Sequence, residues 1–92
     1  MNAATKKHLK KLLGAELRRA RLARKKHLTQ KEVAAAMVEK PKPVTYTCYE
    51  LGYLEPSALT LLELADVLGL DLKKMQHLFR RERIGLPGRR AA

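Results

Sequence analysis

The sequence is poor in cysteine and in aromatic residues. Its 92 residues include one cysteine and no tryptophan, and only 4% are aromatic. A single cysteine excludes an internal disulfide, which fits the reducing cytoplasm. No apolar run approaches the roughly 18–20 residues of a membrane-spanning helix, and the patch at 12–15 stops at Glu16, too soon for a signal peptide. We therefore expect neither a disulfide-stabilised secreted domain nor a membrane protein.

Acidic residues are also scarce, and their shortage is uneven along the chain. There are 20 Lys and Arg against 9 Asp and Glu, a net charge of +11. The net charge is +10 over residues 1–42, −5 over 43–71, where no Lys or Arg occurs, and +6 over 72–92. The excess predicts a polyanionic partner, nucleic acid before an acidic membrane surface. A nearly uncharged segment at 43–52, flanked by lysines, favours a base-reading surface bracketed by phosphate-binding groups.

The spacing of apolar residues predicts an all-α domain. Leu9, Leu13 and Leu17 recur at helical intervals, and later stretches show similar stripes. Thr29 with Glu32 forms a capping box, while Pro41 and the proline at 43 end the helix that follows. The five predicted helices cover about residues 5–24, 29–39, 43–51, 58–68 and 72–84. They form one domain over 1–85, followed by a flexible basic tail at 86–92.

The segment at 44–49 is ambiguous on local grounds. Its alternating β-branched and aromatic residues favour a strand by propensity. A lone strand has no partner, however, because no other segment resembles one. Pro43 at a first helical position and Gly52 just past the end favour a short helix.

Four motifs carry a resemblance to a known family. They are Leu17 with Arg21 in the first helix, the run LTQKEVA at 28–34, Tyr49-Glu50-x-Gly52, and the stretch at 56–69 with its Pro-Ser start and Leu-Gly end. Together they resemble the XRE-like helix-turn-helix domains of the phage lambda repressor and Cro type, over about residues 13–75. The sequence departs from the family in a longer first loop and in a Lys-Pro-Lys-Pro turn at 40–43, where a compact glycine turn is common.

The resemblance implies that the third helix lies in the major groove of DNA, with its N-terminal residues nearest the bases. Tyr46 and Tyr49 then face the core. This helix lacks the Arg and Gln side chains that usually recognise guanine and adenine through paired hydrogen bonds. Apolar contacts, water and DNA shape are therefore expected to contribute to specificity. Cys48 is equally well explained as an ordinary half-buried cysteine, and redox sensing is a lesser alternative. The residues expected to face the bases are Val44, Thr45, Thr47 and Cys48.

Further contacts are expected around that helix. Gln30 resembles the family's phosphate- and base-contacting glutamine, although it also fits a simple polar first-turn residue. Lys40 or Lys42 can supply a guanine contact. The cluster of lysines at 6–11 is either an arm along the DNA backbone or the solvated start of the first helix. The remaining expected backbone contacts are Lys25, Lys26, Lys31 and Tyr53.

Two structural pairs complete the expectations from the sequence. Arg21 and Glu50 match a family ion pair that ties the first helix to the third, with solvation of both as the alternative. Leu78 and Phe79 are expected to form a two-fold contact, unless the last helix folds back and both fill the core.

No enzymatic activity, cofactor, metal site or small-molecule ligand is predicted. The histidines are scattered, and no catalytic set or phosphate loop occurs. The sequence predicts a homodimeric, sequence-specific repressor that binds a palindromic double-stranded DNA operator in the cytoplasm of a prokaryote, at its nucleoid, with a phage or plasmid origin suggested by the family. One alternative is the DNA-binding antitoxin of a toxin–antitoxin pair. Another is a basic amphipathic protein acting on RNA or a membrane surface, which leaves the glutamine, glutamate and proline-serine motifs unexplained.

Overall fold

The structure, a computed structural model of the chain, describes residues 3–23 and 27–85, with side chains as far as residue 81. These residues form helices without any strand, so the all-α prediction is confirmed and the segment at 44–49 is helical. The helices are α1 (Ala3–Ala23), α2 (Gln30–Ala36), α3 (Pro43–Leu51), α4 (Ala58–Leu68) and α5 (Leu72–Gly85). Lys25, Lys26 and the predicted tail at 86–92 lie outside the described residues.

Local capping chemistry explains where several helices begin and end. The Thr29 hydroxyl accepts a hydrogen bond from the Glu32 backbone N–H at 3.1 Å, and the Glu32 carboxylate accepts one from the Thr29 N–H at 2.9 Å. The Ser57 hydroxyl accepts a hydrogen bond from the Thr60 backbone N–H at 3.2 Å. Gly52 and Gly69 end α3 and α4 with φ of 78° and 68°, a left-handed conformation that favours glycine. The predicted capping box at Thr29 and the predicted helix end at Gly52 are confirmed.

The end of α2 was predicted wrongly. The helix ends at Ala36, whereas the prolines suggested an end near residue 39. Met37 already has extended backbone (φ −81°, ψ 147°), and the Val38 N–H donates to the Glu63 carboxylate of α4 at 2.6 Å. A contact with α4, which no local pattern reveals, therefore turns the chain before the prolines are reached. The other differences are small: α1 starts and ends slightly earlier, and α5 ends one residue later.

The core lies where α1, α2, α3 and α4 meet. Leu17, Val33, Tyr46 and Leu64 are its largest fully buried side chains, and α5 contributes Met75. The predicted apolar stripe of α1 is buried at Leu13 and Leu17 and half-buried at Leu9.

Glycine allows α1 to pass unusually close to the C-terminal end of α3. A Cβ on Gly14 would lie 2.3 Å from the Glu50 carbonyl oxygen and 2.6 Å from that of Tyr49. A Cβ on Gly52 would lie 2.9 Å from the Cα of Lys11. Since real side chains do not approach backbone this closely, glycine at residue 14 fixes how near α3 sits to α1.

Candidate nucleic-acid interface

The outer side of α3 is exposed and uncharged. Val44 is 63% exposed, and Thr45 and Cys48 are half-buried. On the opposite side, Tyr46 is completely buried and Tyr49 packs against the core. The helix therefore presents small polar and apolar groups to solvent, and these can contact thymine methyl groups and the edges of bases.

The turn before α3 holds two lysines beside this surface. Lys42 is the N-cap residue of α3, and Pro43 occupies the first helical position. Lys40 adopts φ of 45°, the only positive value at a non-glycine position in the described part of the chain. Both lysines are exposed, and neither is ion-paired with a described carboxylate. Two cations thus flank the N-terminal end of α3 and are available to phosphates.

A buried ion pair connects the inner side of α3 to α1. Glu50 is 8% exposed. Arg21 donates from Nε to Glu50 Oε2 at 2.6 Å and from Nη2 to Oε1 at 3.0 Å, and its Nη1 donates to the Leu28 carbonyl at 2.9 Å. Burial by itself raises the pKa of Glu50, but the hydrogen bonds that its carboxylate accepts and the positive charge of Arg21 together outweigh burial, so the pKa lies below its ordinary value. The carboxylate is therefore charged at neutral pH and joins α3 to α1.

Gln30 and Thr47 extend this pair into a network. Gln30 Nε2 donates to Glu50 Oε1 at 3.0 Å, and the Thr47 hydroxyl donates to Gln30 Oε1 at 2.6 Å. The same hydroxyl lies 3.0 Å from the Pro43 carbonyl oxygen. Both ends of the Gln30 amide are thus engaged within the protein, which leaves one of its N–H groups for DNA. The Thr47 hydroxyl proton is also committed, so the methyl group and a lone pair remain for a base.

Tyr46 lies beside this network with its ring in the core. Its hydroxyl is buried and has no hydrogen-bond partner of good geometry within the described residues. Burial raises its pKa first of all, and the neighbouring Glu50 carboxylate raises it further. Tyr46 is therefore neutral and contributes by packing.

The remaining predicted residues are distributed around this surface. Lys31 is exposed on α2, and Tyr53 is 68% exposed just after α3. Phe79 is half-buried and packs against the core of its own chain, which agrees with the alternative in which α5 folds back. Leu78 is half-buried in an open groove with Lys74 and His77.

Sequence reasoning found the ion pair but missed the rest of the network. Nothing in the sequence links Gln30 to Thr47, because the contact depends on how α2 and α3 cross. The spacing of Thr47 and Glu50, three residues apart on one helix, is the signal that places them beside a common partner.

Two further features of the described residues bear on function. None of their His, Cys, Asp and Glu side chains gather into a group of three suited to a metal ion. None of their helices combines the length and apolarity that crossing a membrane requires.

Comparison with known proteins identifies the family. The model of a helix-turn-helix family matches residues 17–75, well over half of the chain. The chain belongs to this XRE-like helix-turn-helix family of DNA-binding transcription regulators, whose members are typically not enzymes. No curated protein and no solved structure matches the chain significantly.

Proposed function

We propose that the protein is a sequence-specific transcriptional repressor that reads double-stranded DNA with the outer side of α3. The observation that carries this proposal is the contrast between the two sides of that helix. The inner side is fixed by the Arg21–Glu50 hydrogen bonds of 2.6 and 3.0 Å, while Val44 on the outer side is 63% exposed. A reading helix needs both properties, because side chains must be held in register and still reach base edges.

Affinity and specificity are assigned to different groups. Exposed lysines neutralise phosphates and release counterions whatever the base sequence. The uncharged side chains of α3 discriminate between base pairs, with Gln30 positioning Thr47 and donating its remaining N–H to a phosphate. The proposed backbone contacts are Lys25, Lys26, Gln30, Lys31, Lys40, Lys42 and Tyr53, and the proposed base contacts are Val44, Thr45, Thr47 and Cys48.

The proposed assembly is a homodimer on a palindromic operator, with half-sites about one helical turn (~34 Å) apart. Leu78 is retained as an interface residue, whereas Phe79 contributes mainly to its own core. Exposed Leu59 and Leu62 on α4 are a second candidate contact. They lie in the segment at 43–71 that has no Lys or Arg, where two copies with a net charge of +11 repel each other least.

Selection of bound duplexes from a random pool tests the proposal. We expect enrichment of one sequence with two-fold symmetry. The Val44→Arg variant is expected to enrich a different sequence, and Lys73→Gln on α5 serves as a control that enriches the same one. Enrichment of no sequence by the wild-type protein would overturn specific recognition. A DNA-binding antitoxin would give the same enrichment, so co-purification with a toxin is the distinguishing measurement.

Sedimentation of the protein with its selected duplex tests the dimer. We expect two copies per operator. Leu59→Lys and Leu78→Lys separate the two candidate contacts, because only the variant at the true interface should bind as a monomer with low affinity. A single copy per symmetric operator would refute the homodimer.

A further inference from the structure

The first part of α1 lies outside the region that the family model matches. The helix begins at Ala3, whereas the match begins at Leu17. Residues 3–15 contain no acidic residue but four lysines. Lys7 and Lys11 are exposed, and Lys10 is half-buried.

These residues form a docked helix and not a loose arm. Gly14 and Gly52 bring α1 against the C-terminal end of α3, with the backbone of Lys11 directly beside Gly52. Lys6 Nζ lies 3.8 Å from a carboxylate oxygen of Glu55, in the connection between α3 and α4. The N-terminal half of α1 is thus held along the end of the proposed reading helix.

Lys7, Lys10 and Lys11, here called the lysine row, occupy positions i, i+3 and i+4 and therefore share one side of α1. Lys11 adjoins Gly52, and the next residue is the exposed Tyr53. Within the described part of the chain, no carboxylate is ion-paired with the row. Like charges at this spacing destabilise a helix, so a bound polyanion would relieve an unfavourable interaction.

We propose that the lysine row binds the sugar–phosphate backbone of the same duplex that α3 reads, beyond the contacts made at the turn before α3. The inference rests on the proposed function, since it requires α3 to be in the groove. Lys11 of the row lies beside Gly52, where α3 ends, whereas Lys40 and Lys42 lie where α3 begins. The two sets of cations therefore bracket the reading helix, and the row adds affinity without adding base specificity.

The test is the double variant Lys7→Gln/Lys11→Gln, measured on the selected operator and on a scrambled duplex over a range of salt concentrations. Glutamine keeps the Cγ next to Gly52 and has a similar helix propensity. The slope of log K against log salt should fall by about 1.8, from about 0.9 for each lost phosphate contact. Affinity should fall by the same factor on both duplexes, and the preferred sequence should not change.

Arg18→Gln/Lys73→Gln is the matched control, because it removes the same charge from two exposed positions, on α1 and α5, that lie outside the contacts proposed for DNA and for the dimer. Its slope should stay close to that of the wild-type protein. An unchanged slope in Lys7→Gln/Lys11→Gln, or an equal fall in the control, would overturn the proposal. So would a variant that binds DNA normally but loses affinity for single-stranded RNA or for anionic vesicles. In all three outcomes the wild-type protein still selects its operator, so the proposed function would survive, whereas failure of the wild-type protein to select any duplex would defeat both.

Discussion

The two sides of α3 differ in how fully the rest of the protein holds them. On the inner side, the Glu50 carboxylate accepts hydrogen bonds from Arg21 and Gln30. On the outer side, Val44 and Cys48 carry no charge, and Val44 is largely exposed. The inner side is therefore held in place by the protein itself, whereas the outer side is open to solvent and accessible to a ligand.

This difference separates the requirements of folding from those of recognition. Substitutions on the inner side should change stability, because each removes a partner from a buried polar group. Substitutions on the outer side should leave stability nearly unchanged and alter only which DNA is bound.

The largest effect is expected for Glu50→Ala. It leaves Arg21 with a buried, unpaired charge, since the two side chains are only 11% and 2% exposed. Loss of one partner of such a pair typically costs about 3–5 kcal/mol of unfolding free energy, which urea denaturation measures. Glu16→Ala, which removes the i, i+3 pair with half-exposed Arg19, should cost no more than about 0.5 kcal/mol. Similar losses in both variants would show that the inner network contributes nothing special.

The same pair predicts a pH dependence. The folded-state pKa of Glu50 lies below its ordinary value of 4.5. The stabilisation from its carboxylate is therefore fully present above pH 4.5 and is lost as the pH falls through the lower folded-state pKa. The stability difference between wild type and Glu50→Gln should therefore be largest at neutral pH and shrink below pH 4.5. Comparing the two proteins removes the effect of the other carboxylates. A difference that grew on acidification would contradict a lowered pKa.

The next largest effect is expected for Gly14→Ala. Helix propensity alone would favour alanine by about 1 kcal/mol, but the new Cβ would lie 2.3 Å from the Glu50 carbonyl oxygen. The helices must separate, so we expect a net loss of about 1–3 kcal/mol and weaker binding to DNA, because α3 moves. Ala15→Ser, at the exposed neighbouring position, should change stability by less than about 0.5 kcal/mol. A stabilised Gly14→Ala protein would refute the close approach.

Local signals predicted most of the fold. The capping box at Thr29 and the glycine after α3 are short-range chemistry, and the structure has them where the sequence placed them. The segment at 44–49 is helical despite its strand propensity, because the helix buries Tyr46 completely in the core and tertiary packing overrides local propensity.

The features of the fold and of the site that the sequence did not predict depend on contacts between helices. The early end of α2 follows from the bond between Val38 and Glu63, and the engagement of Gln30 by Thr47 and Glu50 follows from how α2 crosses α3. The role of Gly14 is likewise visible only when α1 and α3 are seen together. These are long-range relations, which hydrophobic periodicity and motif spacing do not encode.

On the outer side, Val44→Ala is expected to alter specificity and not stability. Val44 is 63% exposed, so its truncation should change the unfolding free energy by less than about 0.5 kcal/mol. Loss of an apolar contact to a thymine methyl should relax the preference at one base position in each half-site. Selection from a random pool measures this change. An equal loss of affinity on every sequence would remove Val44 from base recognition.

A comparably small change in stability, and the one that best separates folding from recognition, is expected for Lys40→Gly. Lys40 holds φ of 45°, a conformation that is unfavourable for a residue with a Cβ and easy for glycine. Even after the extra entropy of glycine in the unfolded chain, we expect a gain of about 0.5 kcal/mol in unfolding free energy. The lost charge should at the same time lower the slope of log K against log salt by about 0.9.

Lys42→Gln is the control, because Lys42 has an ordinary φ of −62°. Its slope should fall by the same amount, but the protein should not become more stable. A Lys40→Gly protein that gained stability and kept its salt dependence would show that the left-handed turn serves only to aim α3. Opposite changes in stability and affinity would instead show that a strained lysine is tolerated there because DNA uses its charge.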